Sequence, residues 1–176
     1  MLLKKYNNEV LFVDDTIISL STQDIRSLEL EAEKNPRKRI RVCVHPNTDD
    51  LLHEMFIVHT KDTYVRPHKH LGKSESIHVI EGLVDVVLFD DLGNLTEVLD
   101  LGDYASGSRF YYRSSDPIFH TLLIKSETII FHETTNGPFD PADTVWAPWA
   151  PEYGDVKGEQ LFMEQLRENV LSIRAL

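Results

Sequence analysis

The apolar and polar positions divide the chain into three zones. In the first, residues 1 to about 35, a strand signal at Val10–Val13 precedes an acidic segment whose apolar residues recur at helical spacing. Ser21 or Thr22 is placed to cap that helix, and the step from Asn35 to Pro36 is placed to end it. The apolar face of the predicted helix consists of Ile25, Leu28 and Ala32.

The second zone, from about residue 39 to residue 133, changes to short apolar runs separated by turn residues, most clearly at 90–94 and 114–117. Many short strands with mostly short connections are typical of an antiparallel sandwich or barrel, and the jelly roll is one such fold. The predicted strands span residues 40–44, 52–58, 77–81, 83–89, 95–99, 110–113, 119–124 and 128–132.

The third zone begins after Gly137 with a Pro- and Trp-rich stretch at 146–151, expected to close one end of the barrel, to lie in a subunit contact or to cover the cavity. An amphipathic helical pattern follows. Its apolar face consists of Phe162, Leu166, Val170 and Ile173. We therefore expect one compact all-β domain in three parts: an N-terminal strand and helix extension (1–38), a single jelly-roll barrel (39–152) and a C-terminal helical segment (153–176).

Charge and cysteine content narrow the classes of partner. The 176 residues include 18 Lys and Arg against 29 Asp and Glu, a formal net charge of −11. An acidic surface repels phosphate backbones and anionic headgroups, so we expect neither a nucleic-acid nor a membrane partner. The single cysteine, Cys43, excludes an intramolecular disulfide, and no apolar run approaches the ~20 residues that span a bilayer. These features predict a soluble cytoplasmic protein.

Histidine spacing carries the strongest chemical signal. His68, His70 and Glu75 form an H-x-H-x4-E pattern, and Gly82 is suited to a tight turn shortly after it. Residues two apart on a strand point the same way, so both imidazoles aim at one point, and the 71–74 connection returns Glu75 on the neighbouring strand. Two imidazoles and a carboxylate supply half of a coordination shell for a divalent transition metal. The alternative is a polar hairpin whose histidines face solvent.

A later strand of the same barrel is expected to supply the fourth ligand. His120 is the best candidate, since alternation places it on one face with Leu122 and Ile124. A single histidine on such a face is otherwise a buried core residue. His132, on the next predicted strand, is the rival. Three histidines and one glutamate would leave one or two metal positions open for water or substrate.

These residues resemble the metal motif of the cupin superfamily. The first cupin motif reads G-x5-H-x-H-x3-4-E-x6-G, and Asp62 stands here at its leading glycine. The matching residues are His68, His70, Glu75 and Gly82. The second motif, G-x5-P-x-G-x2-H-x3-N, is nearly absent, and only His120 corresponds to it. The resemblance implies a cupin barrel that binds one divalent metal.

The chain is more closely similar to the WbuC family of cupin-fold metalloproteins, from about residue 39 to residue 152. Members of that family are often encoded with O-antigen (lipopolysaccharide) biosynthesis genes and are commonly dimers. The resemblance therefore implies a homodimer that acts on a sugar or nucleotide-sugar. The blocks that carry it are 73–82, 86–91, 110–113, 132–135, 137–139 and 147–151.

Five further residues are candidates for substrate contact or acid–base chemistry. Arg66, just before the histidine motif, is expected at the barrel mouth, and Tyr111 and Arg113 are the other substrate-binding candidates. One tyrosine of the 111–113 strand is expected to point into the barrel, with packing at the rim as the alternative. Tyr112 and His132 are the catalytic candidates.

A basic run at 34–41 interrupts the acidic chain. It either receives an anionic substrate or is a solvated edge strand protected by its charge, and the second interpretation is favoured.

The combined prediction is a metal-dependent enzyme, of the isomerase, epimerase or Fe(II)-oxygenase type, acting on a sugar, nucleotide-sugar or small oxygenated metabolite. Imidazole and carboxylate ligation suits Fe, Mn, Ni, Co and Zn alike. One alternative is a non-catalytic module that recognises a small ligand through its metal. The other is a metal-free epimerase-like site with a histidine base and a tyrosine acid.

Overall fold

The computed structural model describes residues 3–175, and in that range twelve strands form two β-sheets packed face to face, with one α-helix against the outer side of each. The strands are β1 (Leu3–Lys5), β2 (Val10–Val13), β3 (Arg39–Cys43), β4 (Leu52–Thr60), β5 (His68–His70), β6 (Glu75–Glu81), β7 (Leu83–Phe89), β8 (Leu95–Gly102), β9 (Tyr111–Ser114), β10 (Phe119–Ile124), β11 (Thr128–Asn136) and β12 (Thr144–Trp146), and the helices are α1 (Thr22–Lys34) and α2 (Val156–Arg174).

The order of the strands is that of a jelly roll. The larger sheet runs β1-β2-β3-β4-β11-β6-β9 and the smaller sheet runs β12-β5-β10-β7-β8. The chain therefore crosses between the sheets repeatedly, for example from β5 to β6 and from β10 to β11. The pairing of β2 with β3 is parallel, whereas the pairs around the histidine strands are antiparallel. The predicted all-β jelly roll with an N-terminal and a C-terminal helix is confirmed.

Alternation along each strand builds the core between the sheets. On β6, Ile77 and Val79 are buried whereas His78 and Ile80 are exposed. On β11, Phe131 faces inward and Ile130 packs outward under α1. The inner core includes Met55, Ile57, Ile77, Val79, Val86, Leu88, Leu122, Ile124, Ile129 and Phe131.

Helix α1 covers the outer face of the larger sheet. Ser21 is its N-cap and forms a capping box with Asp24, which satisfies two backbone N–H groups at the helix start. The predicted apolar face is confirmed, because Ile25, Leu28 and Ala32 are buried. They pack against Ile40, Val42, Val58 and Ile130 of the sheet.

Helix α2 covers the smaller sheet through Met163, Leu166 and Val170. Ile173, predicted on the same face, is exposed instead. At that end of the helix Arg174 extends to the sheet, where its Nη2 lies 2.7 Å from Oδ1 of the buried Asp85. Within residues 3–175, neither helix has the length and apolar character needed to cross a membrane.

Candidate metal centre

Three histidine rings meet between the two sheets. His68 and His70 lie on β5, and His120 lies on β10 directly opposite His68. One ring nitrogen from each histidine lies within 4.8 Å of those of the other two. Glu75 adds a carboxylate, with Oε2 at 3.1 Å from His70 Nε2 and Oε1 at 3.3 Å from His120 Nε2. The structure therefore brings together all four residues predicted as ligands.

The carboxylate comes from the opposite sheet. We expected Glu75 on the strand next to the histidines, but β6 belongs to the larger sheet and β5 to the smaller one. The 71–74 connection bridges the two sheets, so Glu75 approaches the histidines from across the barrel. The side chain of Glu75 is buried.

Hydrogen bonds at the outer ring nitrogens hold the imidazoles in place. His68 and His120 each donate from Nδ1 to the backbone carbonyl two residues earlier, at 2.8 and 3.0 Å. His70 Nδ1 lies 3.3 Å from the hydroxyl of Thr144, its cross-strand neighbour on β12. With Nδ1 engaged, Nε2 is the nitrogen that remains for the centre of the cluster, and this is how metal-binding histidines are oriented in proteins.

Burial and charge set the protonation of the cluster. Burial, followed by the charge of His120, lowers the pKa of His68 to about 3. Burial would raise the pKa of Glu75, but hydrogen bonds from His120 and His70 outweigh it and hold that pKa well below the usual range. Burial would lower the pKa of His120, but the bond to Glu75 outweighs it and raises that pKa. At neutral pH the cluster therefore contains an ionised carboxylate and a neutral His68.

The donor set fits a divalent transition metal. Ligand atoms at adjacent positions around a metal, each about 2.1 Å from it, lie about 3 Å apart. The two separations from Glu75 to His70 and His120, 3.1 and 3.3 Å, match that spacing. With the imidazoles neutral, as metal ligation requires, three imidazoles and one carboxylate carry a single negative charge in a buried site, which a divalent cation would compensate.

A small recess connects the cluster to the surface. Its volume is about 10 Å³, which is room for about one water molecule. Besides the ligands it is lined by Lys73, Ser114, Asp116 and Ile118. Lys73 Nζ lies 2.7 Å from the carbonyl of Pro138 and 3.2 Å from Asp143, so it fixes the loop beside the recess.

His132 lies on the other side of the larger sheet. Its cross-strand neighbour is the exposed His78, its ring lies 4.9 Å from that of Phe56, and its Nε2 is 3.5 Å from Oε1 of Glu54. Because the neighbouring Phe131 fills the inner face, the imidazole of His132 points away from the cluster. The structure thus brings His120, and not His132, to the three other predicted ligands.

The three candidates on strand β9 lie on two different faces of the sheet. Tyr112 packs against the inner core, and burial raises its pKa. Tyr111 and Arg113 are exposed on the outer face, where Arg113 Nη2 lies 3.0 Å from Ser74 Oγ. Of these three residues, only Tyr112 points into the barrel.

Arg66 lies beside the cluster but behind His68. Its guanidinium lies 5.7 Å from the ring centre of Trp146, and that ring lies 5.3 Å from the ring of His68. Nη2 is 3.4 Å from the carbonyl of Ala147, whereas Nε is buried with no hydrogen-bond partner among residues 3–175. Trp149 packs between Phe89 and Phe119, so the Trp- and Pro-rich stretch lies along the smaller sheet.

Glu133 is a residue of this site that the sequence predictions missed. It follows Phe131 on the inner face of β11 and stands diagonally across from Glu75, which is paired with Thr135. Within the described part of the chain its carboxyl makes no hydrogen bond or ion pair. Burial and the charge of Glu75 raise the pKa of Glu133 to about 8. Alternation from Ile129 and Phe131 is the sequence signal that places it inside.

Comparison with known proteins agrees with the fold. Residues 20–101 match a family described as a domain of unknown function (DUF6016), and no curated protein matches the sequence. Oxalate oxidase in complex with the substrate analogue glycolate superposes with a TM-score of 0.50 at 14% identity, over 69% of this chain and 61% of that one.

Two further solved structures are similar at lower TM-scores. A protein from Shewanella oneidensis gives 0.47 at 13% identity, over 58% of this chain and 65% of that one. The capsular polysaccharide assembling protein CapF from Staphylococcus aureus gives 0.46 at 15% identity, over 56% and 27%. This chain spans less than two thirds of the length of each. The structural neighbours are cupin-fold proteins, and the similarity is one of fold.

Proposed function

We propose that this protein is a metal-dependent enzyme that acts on a sugar, nucleotide-sugar or other small oxygenated metabolite. The observation that carries the proposal is the convergence of three imidazoles and one carboxylate on a single point between the sheets, beside a recess with room for about one water molecule. Resemblance to the WbuC family supports a role in O-antigen synthesis and a homodimer, which size-exclusion chromatography with light scattering would detect. The charge and the single cysteine support a cytoplasmic location.

The four ligands would have separate tasks. His68, His70 and His120 would hold the metal through Nε2, and Glu75 would neutralise one of its charges. When bound, Fe, Mn, Ni, Co or Zn would act as a Lewis acid toward a hydroxyl, carbonyl or carboxylate oxygen of the substrate. The apolar core around the ligands excludes water, which strengthens the electrostatic interactions within the site.

Glu133 is placed to transfer a proton. Its carboxyl is on the sheet opposite the histidines and has no protein partner within residues 3–175, so it is available to the substrate. An isomerase or epimerase removes a proton from carbon and returns one, and a carboxyl group can do both. Tyr112, the predicted acid, is set among apolar side chains of the core, and burial raises the pKa of its phenol.

Elemental analysis tests the metal centre. The protein is purified without an affinity tag or added metal, beside His68→Ala and the control His132→Ala, whose imidazole is on the outer face. We expect about one equivalent of a transition metal in the wild type and in the control, and its loss in His68→Ala. Absence of metal from all three, with none taken up on reconstitution, would overturn the proposal and favour the metal-free epimerase-like alternative.

Deuterium incorporation from solvent into a panel of sugars and nucleotide-sugars tests the role of Glu133. Glu133→Gln keeps the size of the side chain, so metal content is expected to persist while exchange falls about 100-fold or more. An unchanged exchange rate in Glu133→Gln would contradict this role. Tight binding of a panel member, without turnover over a long incubation, would replace the enzyme by a non-catalytic binding module.

A further inference from the structure

The arginines of the basic segment differ in their partners. Arg37 and Arg39 both pair with Glu9, and Arg39 Nε lies 3.0 Å from Glu9 Oε2. Their guanidinium groups also lie 4.9 and 5.3 Å from the ring centre of Tyr153. These two side chains therefore have a carboxylate and an aromatic ring within reach. The favoured interpretation of the basic segment as an edge strand is wrong, because β3 pairs with β2 on one side and β4 on the other.

Arg41 has no such partner. It alternates along β3 with Ile40 and Val42, which pack outward under α1, so Arg41 belongs to the inner face of the larger sheet. Within residues 3–175 no carboxylate lies within 4.0 Å of its guanidinium, and its one polar contact is from Nη1 to the sulfur of Met55, at 3.9 Å. A partly buried cation without an anion is unfavourable, and the acidic chain offers many carboxylates that could have paired with it.

Arg41 and Glu133 are on the same inner face, with Met55 between their strands. Met55, which Arg41 contacts, is directly opposite Glu133 in the pairing of β4 with β11. Burial and the charge of Glu75 raise the pKa of Glu133, and the positive charge of Arg41 opposes that rise, so the two groups lie within electrostatic reach. The inner face of the larger sheet therefore presents a free cation and a free carboxyl on either side of Met55.

We propose that Arg41 binds an anionic group, a carboxylate or a phosphate, of the ligand that the barrel accepts. The inference rests on the proposed function in taking that ligand to be the substrate of the metal centre. A guanidinium offers two parallel N–H groups that match a carboxylate or phosphate edge. A ligand bound this way places its anion at Arg41 and a hydroxyl or carbonyl oxygen toward the histidines, with Glu133 between them. Sugar acids and sugar phosphates share this chemistry.

Calorimetric titration of the full chain with three small probes tests the inference. Glycolate carries a carboxylate, glycerol 1-phosphate carries a phosphate, and ethylene glycol is neutral. The variants are Arg41→Met, which removes the charge and keeps an unbranched side chain, and the control Arg113→Met, which removes an exposed arginine on the outer face. We expect one of the anions to bind the wild type and the control with equal affinity, and to bind Arg41→Met at least tenfold more weakly. Ethylene glycol should bind none of the three. The anion that binds more tightly shows whether the anionic group of the ligand is a carboxylate or a phosphate.

Three results would overturn the inference: equal binding of the anion by Arg41→Met and wild type, equal weakening by Arg113→Met, or no anion binding by the wild type at millimolar concentration. Arg41→Lys covers the case in which Arg41→Met does not fold, and it is expected to weaken binding less, since it keeps the charge but not the paired N–H groups. Each titration is made with and without one equivalent of Zn²⁺. If the protein binds no Zn²⁺ but still binds the anion through Arg41, the metal centre alone is refuted. If it binds Zn²⁺ but Arg41 makes no difference to anion binding, the anion site alone is refuted.

Discussion

Replacing Gly82 by alanine should destabilise the barrel for a reason that the backbone geometry specifies. Gly82 joins β6 to β7 with a φ of +96°. A Cβ at this position would overlap the carbonyl oxygen of Thr128 and lie 2.6 Å from Ser126 Oγ. That hydroxyl accepts a hydrogen bond from the backbone N–H of Leu83 at 2.9 Å. It cannot move away without losing this bond, and the carbonyl belongs to the backbone.

The expected magnitude follows from three contributions. A positive φ disfavours an L residue by about 1–2 kcal/mol, and forcing a group into filled space costs about 1–3 kcal/mol. Alanine also restricts the unfolded chain, which returns about 0.4–1 kcal/mol. The free energy of unfolding should therefore fall by about 1–4.5 kcal/mol in Gly82→Ala.

Gly72→Ala is the matched control. Gly72 also has a positive φ, +66°, but a Cβ there would meet no atom within 4 Å. This variant isolates backbone strain and should lose about 1 kcal/mol or less. Urea denaturation followed by circular dichroism measures both. Losses that agree within about 0.5 kcal/mol would refute the steric argument. Metal content per folded molecule should be unchanged in Gly82→Ala, because Gly82 follows the end of β6 opposite to Glu75.

Three shorter predictions concern packing, ligand orientation and charge. Leu166→Ala, on the buried face of α2, should lower the free energy of unfolding by about 2–5 kcal/mol, whereas the exposed Leu161→Ala should change it little. Equal losses of stability in urea denaturation would contradict the packing of α2 on the sheet. Thr144→Val removes the hydroxyl beside His70 and should weaken metal affinity about tenfold in a competitive chelator titration, and an unchanged affinity would show that this contact does not orient the ring. Glu9→Gln should lower the melting temperature at neutral pH, because two guanidinium groups lose their carboxylate. Those groups outweigh burial and hold the pKa of Glu9 below its ordinary value. The stabilisation is therefore present above the ordinary carboxyl range and is lost as the pH falls through the lowered pKa. If the melting temperature of the wild type falls no more steeply with pH than that of Glu9→Gln, this contribution is refuted.

Local patterns determined much of this protein. Helix α1 begins where Ser21 can cap it, and a strand forms at each of the eight short apolar runs from which one was predicted. The spacing of His68 and His70 places both imidazoles on one face of an extended strand, as it must for any strand. These features depend on neighbours within a few residues, so their physical causes are contained in the sequence itself.

The tertiary structure decided which face is the inside and which strands meet there. Alternation shows that His132 and Glu133 lie on opposite faces of β11, but not which face is covered by the second sheet. Packing of Phe131 into the core turns Glu133 inward and His132 outward. The crossing between sheets likewise brings Glu75 to the histidines from the far side of the barrel. A shift of one residue in register would exchange the two faces of a strand, and register is set by partners distant in sequence. The four ligand residues of the candidate site could therefore be predicted from the sequence. The placement of Glu133 and Arg41 beside them depended on long-range packing.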